Sequence, residues 1–99
     1  MKVSYKKPLP ATPISLLRSA GYAPFRDPQS GEESFVRRLG SAFYPRFHMY
    51  VKETHLVVTF DLHLDQKKPS YEGAHKHAGE YEGSVVAQEL LRIKDAFLS

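Results

Sequence analysis

The chain has 99 residues, 41% hydrophobic and 25% charged, with no cysteine and a formal net charge of +3 at pH 7. That size suits one domain around one modest core, and the missing thiols exclude disulfides, thiolate metal sites and cysteine nucleophiles. No apolar run approaches the roughly 18 residues of a membrane span, and the basic start "MKVSYKKPLP" lacks the apolar stretch of a secretory signal, so a cytoplasmic protein with no membrane partner is expected.

Residues 1–11, broken by Pro8 and Pro10, read as an extended N-terminal arm ahead of a single domain over 12–99. Thr12 is placed to cap a helix, Pro13 suits its first position, and Gly21 is placed to stop it, which predicts a helix over about 12–20. "APFRDPQSGEES" is turn chemistry, with Pro24, Pro28 and Gly31 breaking the chain. "SFVRRL" follows as a short strand.

The strongest pattern runs over 46–65. Phe47, Met49 and Val51 alternate with Arg46, His48, Tyr50 and Lys52; Val58, Phe60, Leu62 and Leu64 alternate with Thr59, Asp61, His63 and Asp65. Such alternation predicts a hairpin with one covered apolar face and one open polar face. A two-residue turn at Glu53-Thr54 sets Phe47 opposite Phe60, Arg46 opposite Asp61 and His48 opposite Thr59. A polar loop over 66–83 follows, containing "YEGAHKHAGEYEG". Ser84 then caps a last helix whose apolar stripe is Val86, Leu90, Ile93 and Phe97. The fold class expected is α+β: a two-layer α-β-β-β-α sandwich, a three-stranded antiparallel sheet with two helices on one face.

Three side-chain groups could carry chemistry. On the open sheet face, His48 or His63 could serve as a base and Arg46 as a phosphate partner, a combination able to cleave RNA without a metal. His63, Asp65, His75 and His77 offer three imidazoles and a carboxylate, a donor set suited to zinc or a similar divalent ion. Lys6, Lys7, Arg37, Arg38, Tyr44 and Arg46, with Tyr5 and Phe43 among them, form a basic aromatic set suited to nucleic acid. The chain has no Gly-x-Ser-x-Gly, phosphate-binding glycine loop or dinucleotide fingerprint.

Leu16, Leu17, Gly21 and Tyr22 at the end of the first helix, with Gly83-Ser84 leading into the last, resemble the HicA-like toxin family. That resemblance implies a double-stranded-RNA-binding-like topology, RNA as substrate and a catalytic histidine directly after a Gly-Ser. In this chain Gly40-Ser41 is followed by Ala42, and the next histidine is His48. The open readings are therefore an RNA-binding domain, with or without histidine-dependent endoribonuclease activity of toxin type; a non-catalytic metal-binding protein; and an interaction module for an acidic partner protein.

Overall fold

Period-two alternation builds the sheet. The computed structural model describes residues 1–66 and 75–98, with side chains described for 1–66 and 83–97. In chain order the elements are β1 (Lys2–Lys6), α1 (Pro13–Ser19), β2 (Ala23–Arg26), β3 (Glu33–Arg38), β4 (Arg46–Glu53), β5 (Val57–Asp65) and α2 (His75–Leu98). The strands form one antiparallel sheet in the order β1-β5-β4-β3-β2.

The sheet has five strands, not three. The helix–strand–strand–strand–helix series expected from the sequence is present as α1, β3, β4, β5 and α2, and one further strand is added at each margin. The N-terminal stretch is one of these: Val3 and Tyr5 pair with Phe60 and Val58 and pack against the core. Its alternation spans only five residues and was obscured by Pro8 and Pro10. The other lies within the segment read as turn, where Pro24 sits on an outer strand, a position in a sheet that tolerates a missing amide. The turn chemistry is real but shorter: Asp27 Oδ1 accepts from the Gln29 and Ser30 amides at 2.7 and 3.2 Å, and Gly31 takes φ +75°. Those two amides hold the Asp27 carboxyl below its ordinary range.

The β4–β5 register also differs from expectation. Phe47 lies opposite Leu64, His48 opposite His63 and Arg46 opposite Asp65. Thr54 explains the change: its hydroxyl accepts from the Leu56 and Val57 amides at 3.3 and 3.1 Å, and its own amide donates to the Val57 carbonyl at 2.8 Å. The connection is thus longer than Glu53-Thr54 and the pairing slides by four residues. An even slide preserves which residues share a face.

Both helices cover the apolar face. Thr12 Oγ1 accepts from the Ser15 amide at 3.2 Å to cap α1, and Gly21, at φ +97°, turns the chain out of it. Leu16 and Leu17 from α1 and Val86, Ile93 and Phe97 from α2 close over Phe47, Met49, Val58, Phe60 and Leu62. The last helix begins at His75 rather than at Ser84, since Lys76, Ala78, Glu80 and Glu82 are all good helix formers. Among the described residues no helix is long and apolar enough to cross a membrane.

One carboxylate is built into this core. Glu89 is 5% exposed and lies on the α2 stripe between Val86 and Ile93. Tyr22 donates its hydroxyl to Oε2 at 2.6 Å, and Arg92 grips both oxygens at 2.7 and 2.9 Å. Arg37 reaches Oε2 at 3.4 Å, and Arg92 also donates to the Ala20 carbonyl at 2.6 Å. Burial, and then the bond to Glu89, push the Tyr22 phenol far above the ordinary tyrosine range. The network ties the end of α1, β3 and α2 together by charge-assisted bonds.

Candidate functional site

The face left bare by the helices is polar and aromatic. Strand pairing places Lys2, Ser4 and Lys6 of β1, Thr59, Asp61, His63 and Asp65 of β5, Arg46, His48, Tyr50 and Lys52 of β4, and Ser34 and Arg38 of β3 on it. These side chains divide into an enclosed half and an open half.

In the enclosed half, three adjacent strands set Ser34, His48 and Asp65 in one line. Ser34 Oγ is 2.6 Å from His48 Nε2, and His48 Nδ1 is 2.9 Å from Asp65 Oδ2. When Nδ1–H donates to Asp65, Nε2 is free to accept the Ser34 hydroxyl. The order is that of an acyl-transfer relay. Access argues against that use: Ser34 is only 3% exposed, and the His48 ring is stacked on Tyr50 at 4.6 Å with Phe25 edge-on at 6.1 Å. A hydroxyl so enclosed offers no path to a substrate atom, and the line serves to fix His48 and Asp65.

Arg46 closes the same half. It is 6% exposed, with its guanidinium carbon 4.3 Å from the Phe43 ring centre, 4.7 Å from Phe25 and 5.1 Å from Tyr44. Its Nε donates to Asp65 at 3.3 Å. Three ring faces and a carboxylate satisfy this cation within the fold.

The open half centres on Tyr50 and His63, whose rings meet edge-on at 5.7 Å. The His63 side chain is 49% exposed, and its Nε2 lies 3.2 Å from Asp61 Oδ1. Burial alone would raise the Asp61 carboxyl; hydrogen bonding to the N-terminal ammonium and the nearby His63 outweigh it and lower the group. Burial raises the Tyr50 phenol, helped by the Glu32, Asp65 and Asp27 carboxylates. A groove of about 550 Å³ runs over this half, with Tyr50 and His63 in it and Lys2, Lys52, Glu32 and Asp61 along its sides. Among the described residues, neither Lys2 nor Lys52 takes part in an ion pair.

No family model matches the chain, and neither does any curated protein or solved structure.

The residues picked out by sequence divide accordingly. His48, His63, Arg46 and Asp65 do share one face, but in separate roles: His48 and Arg46 are enclosed around Asp65, while His63 is open and pairs with Asp61. For a metal, Asp65 is engaged by His48 and Arg46, and no group of three or more metal-ligating side chains comes together among the described residues. The side chains of His75 and His77 lie outside the described residues.

The basic aromatic set is dispersed by the sheet. Lys6 pairs with Val57 at one end of β5, whereas Arg46 pairs with Asp65 at the other, a separation of about 25 Å at the strand rise. Lys7 is bound to Glu53. Arg37 points into the core side toward Glu89, and Arg38, on the opposite face, stands 5.4 Å from the Phe43 ring centre. Tyr5 packs edge-on against Phe60 in the core.

Ser34, Glu32 and Lys2 were missed by sequence reasoning. Ser34 lies in β3 and Glu32 on the turn just before it, and both are recognisable only once β4 is in register beside that strand. Lys2 joins the groove through β1, a strand too short to stand out.

Proposed function

We propose that the protein binds single-stranded RNA across the open half of its sheet. The observation that carries this is the groove, which combines the half-buried ring of Tyr50 and the exposed ring of His63 with the ammonium groups of Lys2 and Lys52, which form no ion pair among the described residues. Bases stack on aromatic rings standing on an open antiparallel face, while lysines at its sides meet the phosphates. The His48 ring beneath Tyr50 adds rigidity, so little ordering is required when a base arrives.

Fluorescence anisotropy with a labelled uridine-rich RNA tests the reading. Tyr50→Ala is expected to weaken binding by about ten- to a hundredfold, the range of one lost base stack. Affinity of the wild-type protein should also fall steeply with salt. Absence of binding, or binding indifferent both to salt and to Tyr50→Ala, refutes it.

A second reading, cleavage of the bound strand, is favoured by the exposed His63–Asp61 pair. If Nε2–H donates to Asp61, Nδ1 is left as a base for a ribose 2′-hydroxyl, with Lys2 or Lys52 beside the charged phosphate. Cleavage should then disappear in His63→Ala and in a 2′-deoxy substrate, while His63→Ala still binds RNA. Equal cleavage by His63→Ala rules out this role for the imidazole.

A further inference from the structure

The groove holds one group that general RNA binding does not require. Glu32, on the turn just before β3, places a carboxylate beside Tyr50, near enough to add to the rise in the phenol's pKa. An acidic group on a phosphate-binding surface weakens attraction for any polyanion, so its presence calls for a compensating use.

The other carboxylate of the groove is already engaged: Asp61 pairs with His63 and with the N-terminal ammonium. Glu32 is different. It is exposed, and among the described residues its side chain forms no hydrogen bond or ion pair. Its main chain is held, since its amide donates to Ser30 Oγ at 3.2 Å and its carbonyl accepts from the Asp27 amide at 2.9 Å. The backbone of Glu32 is therefore anchored while its carboxylate is left with open acceptor positions.

A carboxylate only accepts hydrogen bonds, so it selects for donors. Of the four RNA bases, guanine alone offers two parallel donors on its Watson–Crick edge, N1–H and the N2 amino group, matching the two oxygens. Adenine and cytosine each offer a single amino group there, and uracil a single imide N–H. On this basis we infer that Glu32 makes the groove selective for guanine, with the base stacked on Tyr50 and its donor edge turned to the carboxylate. This rests on the RNA-binding reading above and adds a base preference to it.

The test uses uridine-rich RNAs differing at one central position, which is guanine, inosine, adenine or cytosine, measured by anisotropy on the wild-type chain and on Glu32→Gln. Inosine keeps N1–H and lacks the N2 amino group. The wild-type protein should favour the guanine RNA over the adenine RNA by about tenfold or more, as expected of a bidentate contact, and inosine should lose most of that preference. Glu32→Gln should abolish it while holding the adenine RNA at least as tightly, because a negative charge has been removed. Equal affinity for guanine, inosine and adenine RNAs overturns the proposal with RNA binding intact, and so does a guanine preference that survives Glu32→Gln. If none of the four RNAs binds, the proposal fails together with the RNA-binding reading.

Discussion

Glu89→Ala should lose about 3 kcal/mol of stability, the low end of what removing one member of a buried charge network costs. The substitution leaves the Tyr22 hydroxyl without its acceptor, at the 2.6 Å contact that now satisfies it. It also strips Arg92 of two charge-assisted bonds and Arg37 of one. Both guanidinium groups are partly exposed, at 41% and 32%, so water takes over some of their donors and keeps the loss from being larger. Glu89→Gln retains an acceptor for Tyr22 and should recover part of the difference. Urea midpoints of the three proteins measure this. A Glu89→Ala unfolding free energy within about 1 kcal/mol of wild type would show that the network contributes no more than a surface ion pair.

The second large effect is expected at Arg46. Removing its side chain with Arg46→Ala discards three ring contacts and leaves Asp65 with His48 alone, for a loss of about 2–3 kcal/mol. Arg46→Lys is the informative comparison. A planar guanidinium lies flat between Phe25, Phe43 and Tyr44 while its Nε reaches Asp65; a compact ammonium keeps the charge but cannot cover three rings. Lysine should therefore restore less than half of the stability lost in alanine. Full rescue by lysine in thermal unfolding would show that charge alone, and not ring stacking, holds this residue.

How far the fold could be read in advance depended on the length of each pattern. β4 and β5 carry alternation over eight and nine residues, and the faces assigned to His48, Tyr50, Asp61 and His63 follow from it. Alternation has a period of two, however, so it sets parity and leaves even slides undetermined. The four-residue slide is decided by one hydroxyl, that of Thr54, whose hydrogen bonds have no counterpart in a hydrophobic pattern. The two outer strands escaped notice because four or five residues beside prolines resemble a loop. Glu89 escaped for another reason: it occupies a core-facing position of the α2 stripe, yet acidic residues are nearly always solvated, and its partners Tyr22 and Arg37 are distant in sequence.

The site shows the same division. The open face was legible as a set of polar residues, but which of them are enclosed and which reach solvent was not. Arg46 looked like a free cation because nothing in the order of residues announces that Phe25, Phe43 and Tyr44 gather around it. His48 and His63 looked equivalent as candidate bases. The stacking of Tyr50 on one of them and the openness of the other distinguish them.

The two outermost strands also bear on how copies of this chain meet each other in concentrated solution. A ribbon margin with every amide available invites a neighbouring molecule to continue it, the first step toward fibrils. Here one margin is short and interrupted by Pro24, and the other is studded with Lys2 and Lys6, whose like charges oppose a second copy laid alongside. Lys2, one of the two lysines that guard the β1 margin against fibril growth, is thus also the one set beside the groove.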